Sequence, residues 1–212
     1  VSNTGGTPKV IDGNYLGKYE SVSWTSQQNI DFLSSEGTSN AIGTINPNTG
    51  AKAYVFRSDA HAITSFSKNN KGIYSFTAST PTHASELYTV SVGKKAMPMR
   101  RTNNNVWLQD VKLGKQEVIT YKARDGKYDI QGMLIYPIDY KAGTKYPLIT
   151  VVHGGPESHF SNGWITGYSN PGQMAAAQGY AVFYPNYRGS TGRGTDFTYS
   201  SQADLAGKEF DD

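Results

Sequence analysis

Cysteine is absent from the 212-residue sequence. Without a thiol the chain can form no disulfide, no zinc–thiolate centre and no cysteine nucleophile. The spacing of its four histidines (His61, His83, His153 and His159) is not typical of metal ligands. We therefore predict that the protein holds no metal and needs no cofactor.

An excess of one charge and a long apolar run are also missing. Twenty basic and seventeen acidic residues leave a net charge of +3, too small to indicate nucleic-acid binding. No apolar run reaches the roughly 18 residues of a membrane span, so neither nucleic acid nor a membrane is an expected partner.

No signal peptide opens the chain. Because Val1–Pro8 is typical of the middle of a loop, we expect a piece of a longer protein, whose compartment (cytoplasm or periplasm) stays open.

What the first half does contain is a repeated pattern of short alternating runs separated by turn residues, which is typical of antiparallel strands. The second set of four runs follows the first at an offset of about 42 to 45 residues, close to the length of one four-stranded propeller blade. A β-sandwich, whose strands are also regularly spaced, is the alternative. The runs are Ser21–Trp24, Ile30–Leu33, Ala41–Ile45, Ala53–Phe56, Ile63–Phe66, Ile73–Phe76, Glu86–Val90 and Ala96–Met99.

The second half, from Glu117 onward, has a different pattern. A helix is predicted over Pro171–Gln178, with Asn170 as its N-cap, and a further helix from near Ser200. Pro147–Val152 is nearly continuously apolar, as expected of a strand buried on both faces. Strands that alternate with helix predict a layered α/β domain. The strand-like segments are Glu117–Ala123, Tyr128–Tyr136, Pro147–Val152 and Tyr180–Pro185.

One loop could carry chemistry. His153-Gly154-Gly155-Pro156 directly follows an apolar strand, and its two glycines let the backbone approach a ligand with N–H groups turned outward. In α/β-hydrolases a loop at this place supplies an oxyanion-hole donor. A plain tight turn is the alternative. We do not assign His153 as a general base, because in this fold the triad histidine follows the nucleophile in sequence.

A second loop, residues 186–194, follows the other apolar strand. Its glycine spacing matches neither a phosphate-binding P-loop nor a dinucleotide fingerprint. We expect Arg188 to hold neighbouring loops through hydrogen bonds to carbonyls or a carboxylate. Asp211 and Asp212 are interpreted as a charge pair at a helix N-terminus. No Gly-x-Ser-x-Gly motif, which would carry a nucleophilic serine, occurs in the sequence.

Taken together, the motifs of this chain resemble the prolyl oligopeptidase family, in the branch of acylaminoacyl peptidases and bacterial dipeptidyl peptidases. The resemblance is strong over Glu117–Asp212 and looser over the repeats. It is carried by the order and spacing of Glu86-Leu87-Tyr88, Arg124-Asp125-Gly126, Tyr136-Pro137, Lys145–Leu148, His153–Pro156, Gly179–Val182 and Pro185–Gly192.

The resemblance implies the last blades of an all-β propeller over residues 1–116 and the N-terminal part of an α/β-hydrolase domain over residues 117–212, both partial. The Ser-Asp-His triad would lie beyond Asp212, so the chain itself should be inactive. His153, Gly154 and Gly155 would form the oxyanion loop, with the Gly154 N–H as donor where some relatives place a tyrosine hydroxyl. Asn186, Arg188 and Gly189 would form a structural loop near the active site.

The same resemblance implies a serine peptidase whose partners are short peptide substrates and the missing C-terminal half of the hydrolase domain. No double-glutamate motif for gripping a peptide amino terminus is visible. An esterase of the same hydrolase fold and a non-catalytic propeller that binds partners are the alternatives. Substrate specificity and homo-oligomerisation stay open.

Overall fold

The computed structural model describes residues 4–26, 28–93, 97–155, 157–204 and 206–212. Within these ranges the chain forms three four-stranded sheets and a few short helices. None of the described helices is long and apolar enough to cross a membrane.

The first sheet is an antiparallel meander in which each strand pairs with the next along the chain. The turn between its second and third strands contains Gly37, whose φ of +63° is a conformation that favours glycine. The next turn is held by Asn46, whose side chain accepts hydrogen bonds from the N–H groups of Asn48 and Thr49. The strands are β1 (Lys18–Ser26), β2 (Asn29–Glu36), β3 (Ser39–Ile45) and β4 (Lys52–Ser58).

The second sheet repeats this meander. Lys18 and Ala62, Asn29 and Ile73, and Ser39 and His83 begin equivalent strands and are each 44 residues apart. The two sheets are propeller blades, as the repeat predicts, and not the two faces of a sandwich. Ala96, where the last run of the repeat begins, lies outside the described residues. The strands are β5 (Ala62–Lys68), β6 (Ile73–Thr80), β7 (His83–Ser91) and β8 (Met99–Arg100).

The two blades share one core. Leu33 and Ile42 from the first blade pack with Tyr74, Phe76 and other buried side chains of the second blade. Fully burying side chains of this size contributes about 1.5–3 kcal/mol each. At one end of this core the Lys68 Nζ lies 3.0 Å from the buried carboxylate of Asp31, which links β5 to β2. The blades are thus joined by apolar packing and by an ion pair.

The third sheet has the order β11-β12-β10-β9, in which only β11 and β12 are parallel. Helix α1 (Gly172–Ala177) and Phe160 cover one face of it. This arrangement of mixed strands and helix is the partial α/β-hydrolase domain. The strands are β9 (Gln116–Lys122), β10 (Asp129–Ile135), β11 (Leu148–Thr150) and β12 (Ala181–Asn186).

The predicted N-cap of α1 is wrong. Pro171, not Asn170, occupies the cap position, and no side chain of the cap residue bonds the helix. The first N–H groups are satisfied from elsewhere: Gly172 N donates to the hydroxyl of Tyr184 (2.8 Å) and Gln173 N to Thr166 Oγ1 (2.8 Å). Tertiary partners therefore replace the local cap.

The strand expected to be buried on both faces is buried on one. Leu148 is 57% exposed and Val152 65%, whereas Ile149 and Val151 on the opposite side pack against the core. The reason is position, since β11 is an edge strand and the core packs against its Ile149 side.

The helix predicted from Ser200 is not present in the described residues. A short helix, α2 (Thr195–Thr198), precedes this segment, which contains two 3-10 turns (Tyr199–Ser201 and Lys208–Asp211). A third 3-10 turn, Val106–Asp110, precedes β9.

The segment that leads out of the second blade is held by one buried carboxylate, Glu86 on β7. It accepts hydrogen bonds from the backbone N–H groups of Asn104 (2.7 Å) and Asn105 (3.2 Å) and from the hydroxyl of Thr102. Burial alone would raise the pKa of Glu86, but these hydrogen bonds outweigh it and hold the pKa below its usual range. The carboxylate is therefore charged in the folded protein.

We expect Glu86→Ala in the full-length protein to destabilise this segment by about 1–3 kcal/mol, because several donors lose their acceptor. The lowered pKa means that the stabilisation is present above the pKa of the unfolded chain and is lost as pH falls through the folded value. Hydrogen exchange at the amides of Asn104 and Asn105 measures the effect. Glu86→Gln, which keeps an acceptor oxygen, is the matched control, and equal exchange in all three proteins would contradict the prediction.

Candidate active site

Two loops meet at one edge of the third sheet. Strands β11 and β12 are parallel, with Ile149 opposite Val182 and Thr150 opposite Phe183. Their carboxyl ends therefore lie side by side, where ligands bind in open α/β folds. The histidine loop (residues 153–155) follows β11, and the arginine loop (residues 186–192) begins at the end of β12.

His153 is a buried ring with both nitrogens engaged. Its Nε2 lies 2.8 Å from Ser190 Oγ, and its Nδ1 lies 3.1 Å from the carbonyl oxygen of Gly154. Tyr187 stacks on the ring with centroids 4.6 Å apart, and the Tyr187 hydroxyl donates to the His153 carbonyl (2.5 Å). Burial lowers the pKa of His153, while the contact with the Gly154 carbonyl acts in the other direction. The ring is a neutral connector between the two loops.

Gly154 is exposed, as is Gly155, whereas His153 is buried. A Cβ atom added at Gly154 would meet nothing within 4 Å, and its backbone φ is not positive. Its N–H donates to no acceptor in the part of the chain that the structure describes. The next residue, Gly155, has a φ of +149°, and a Cβ there would lie 2.7 Å from the N atom of Glu157. Pro156, the last residue of the motif, lies outside the described residues.

Asn186 fixes the segment that follows the histidine loop. The side chain is buried, its Oδ1 accepts from Phe160 N (2.7 Å), and its Nδ2 donates to Phe160 O (2.9 Å). The Phe160 ring in turn contacts the ring of His153 with centroids 5.3 Å apart. One amide side chain therefore satisfies both backbone groups of the residue that packs on His153.

Arg188 lies buried between two carboxylates. Its Nη1 donates to Asp125 (2.9 Å), and its Nη2 and Nε donate to Asp212 (2.6 and 2.9 Å). The guanidinium also lies over the ring of Tyr128 at 5.3 Å. These hydrogen bonds raise the pKa of Arg188 further above its ordinary range. The side chain ties the arginine loop to the turn between β9 and β10.

The expected role of the two terminal aspartates is wrong. Asp212 is not a helix N-terminal charge but the main partner of Arg188, and Asp211 pairs with Arg124 at 3.1 Å. The neighbouring Gly189 has a φ of +95°, and a Cβ there would lie 2.6 Å from Ser201 Oγ. Glycine is required at this position because the chain is both left-handed and closely packed.

An open cleft of about 460 Å³ lies beside the two loops. Its walls are mainly apolar and are formed by Val152, Phe183, Pro185 and Phe210. Tyr187, which stacks on His153, also lines the cleft. Over the described ranges, no group of three or more His, Asp or Glu side chains is arranged to hold a metal ion.

Residues 166–212 match the sequence model of the prolyl oligopeptidase family. Similar curated proteins include the "Uncharacterized peptidase YuxL" of Bacillus subtilis (31% identity over 160 residues, 75% of this chain and 23% of that protein). Dipeptidyl-peptidase 5 of Aspergillus fumigatus is 33% identical over 126 residues, 59% of this chain and 17% of that protein. Residues 166–212 are therefore assigned to the prolyl oligopeptidase family.

A solved structure of similar fold is the Pyrococcus horikoshii acylaminoacyl peptidase, with a TM-score of 0.77 at 20% identity. The superposition covers 96% of this chain and 30% of that one. The chain thus spans less than a third of the length of each of these three proteins.

The sequence did not reveal the side chains that hold the two loops together. Ser190 and Tyr187 contact His153 across more than 30 residues of sequence, and neither belongs to a local pattern that marks a partner. The only available signal was that both loops follow apolar strands of one predicted sheet.

The contact of Asp125 with Arg188 should make stability depend on pH. The hydrogen bond from Arg188, followed by the Lys127 N–H, lowers the pKa of Asp125 to about 2. The ionised form is favoured by folding, so the stabilisation is present above the unfolded pKa of about 4 and is lost as pH falls toward 2. We expect Asp125→Asn to lower the Tm of the full-length protein at pH 7 and to differ less from wild type at pH 3.

Thermal unfolding between pH 3 and pH 7 measures this difference. Asp139→Asn is the matched control, since Asp139 forms an exposed pair with Lys112, and exposed pairs contribute little. A deficit of Asp125→Asn that stays constant over this range would contradict the role of its charge.

Proposed function

We propose that the full-length protein is a serine peptidase that cleaves short peptides through an acyl-enzyme. Residues 1–116 would be the C-terminal propeller blades and residues 117–212 the first part of the hydrolase domain. Support comes from the family, from relatives named as peptidases and from the blade–hydrolase fold.

The observation that carries this proposal is the Gly154 N–H. It lies at the carboxyl edge of a parallel strand pair, exposed and without an acceptor in the described residues. In acyl transfer a hydroxyl oxygen attacks the substrate carbonyl, whose oxygen becomes negative, and a fixed N–H stabilises that charge. Burial and the contacts of His153 fix the loop before substrate arrives.

The triad would come from sequence outside these 212 residues. No Gly-x-Ser-x-Gly occurs here, and His153 is unsuited as a base because its nitrogens face Ser190 and the Gly154 carbonyl. We propose that the remaining hydrolase elements cover the exposed face of β11, where Leu148 and Val152 are unburied. Burial of these side chains would give the missing part its binding energy.

Gly154→Pro in the full-length protein removes the N–H and should lower kcat by about a hundredfold or more. Gly154→Ala is the matched control: it keeps the N–H, its Cβ meets no atom within 4 Å, and the backbone φ suits alanine. Turnover of an aminoacyl amide and of an ester is measured for each protein, with KM determined separately.

A folded Gly154→Pro enzyme with near-normal kcat would show that the oxyanion donor lies elsewhere. Wild-type activity on the ester alone would favour an esterase instead of a peptidase.

The 212-residue chain by itself should have no peptidase activity, because it lacks the serine motif. The purified chain is treated with a fluorophosphonate probe and with an aminoacyl amide, and the full-length protein serves as the positive control. Covalent labelling of the chain together with amide hydrolysis would refute this prediction.

A further inference from the structure

The segment that follows the histidine loop is fastened to both blades. Asn162 N donates to the carbonyl of Thr38 (2.9 Å) in the turn between β2 and β3, and its Nδ2 donates to the carbonyl of Asp59 (2.7 Å). The Asn162 Oδ1 accepts from Gln116 Nε2 (2.9 Å) at the start of β9. Asn162 therefore joins the first blade to the hydrolase sheet.

Gly163 is packed against the second blade with no room for a side chain. An added Cβ would lie 2.3 Å from the Cβ of Ala62 and 2.6 Å from Ser79 Oγ. The same Ser79 Oγ accepts from the Trp164 N–H (3.0 Å). The φ of Gly163 is not positive. Glycine is therefore needed here for close approach and not for an unusual backbone conformation.

The arginine loop is fastened to the same blade turn. Gly37 N donates to the carbonyl of Gly192 (2.7 Å). Gly37 and Thr38 are consecutive, so one turn of the first blade donates to the arginine loop and accepts from Asn162. A Cβ at Gly192 would lie 3.2 Å from the N atom of Gly37, which again shows a close backbone approach.

From these contacts a short connected path leads to Gly154. Phe160, two residues before Asn162, is held at both backbone groups by Asn186 and packs on His153. His153 Nε2 contacts Ser190 of the arginine loop. Displacing residues 162–163 would move Phe160, and with it the ring that holds the histidine loop.

We infer that Asn162 and Gly163 are positioning residues, through which the propeller blades set the placement of the Gly154 N–H. The inference rests on the proposed function. It means that the blades help to place the oxyanion donor, in addition to any control of substrate entry. A displacement on the order of 1 Å in a positioned group can lower turnover by about a hundredfold.

The test uses the full-length protein with an aminoacyl amide substrate. Gly163→Ala forces the segment away from Ala62 and should lower kcat by about 10- to 100-fold with KM changed by less than about threefold. Ala62→Gly combined with Gly163→Ala removes the main clash and should restore most of kcat. Gly167→Ala is the control, since an added Cβ there meets nothing within 4 Å.

Hydrogen exchange provides a readout that does not need activity. Gly163→Ala should speed exchange in residues 153–160 while the strands of both blades keep wild-type rates. Asn162→Ala, which loses the bonds to Asp59 and Gln116, should act in the same direction. A folded Gly163→Ala enzyme with wild-type kcat, or a loss of kcat that Ala62→Gly does not rescue, would overturn the inference. An inactive wild-type protein would instead refute the proposed function.

Discussion

The parallel pairing of β11 with β12 is the constraint on which the candidate site depends. These strands are joined through α1, so residues 153 and 186 are far apart in sequence, yet both follow the same edge of the sheet. An antiparallel pair would place the two strand ends at opposite edges. The His153–Ser190 hydrogen bond between the histidine loop and the arginine loop requires this shared edge, and so does the Asn186–Phe160 pair beside it.

The polar side chains at this edge are mostly engaged in holding the backbone. Asn186 binds both backbone groups of Phe160, and Arg188 binds two carboxylates. Buried groups of this kind are costly when unpaired, and pairing them fixes the loops in one arrangement. In the described part of the histidine loop the Gly154 N–H donates to no acceptor, and under the proposed function it is the donor offered to the substrate. A rigid, prealigned dipole is the kind of group that stabilises a developing oxyanion without reorganising.

Sequence reasoning predicted what depends on local periodicity and missed what depends on tertiary pairing. The alternating runs and their repeat identify both blades, because a strand with one buried face must alternate. The edge position of β11 could not be predicted from Pro147–Val152, because an apolar run alone does not show which of its faces is covered. Asp212 looked like a helix charge because nothing near it in sequence points to Arg188. Arg188 and Asp212 meet only because the chain folds back beside the arginine loop.

The hydrogen bonds between the blades and the hydrolase part use both backbone and side-chain groups. Gly37 N–H donates to the Gly192 carbonyl and Asn162 N–H donates to the Thr38 carbonyl, while Asn162 Nδ2 and Ser79 Oγ make further bonds across the contact. Hydrogen bonds are directional, so a few of them fix relative placement without a large buried area. Inter-domain contacts of this polar type permit relative motion more readily than apolar ones. A movement that breaks the bonds of Gly37 and Thr38 would therefore release the arginine loop together with the segment around Asn162, since both are fastened to the same turn.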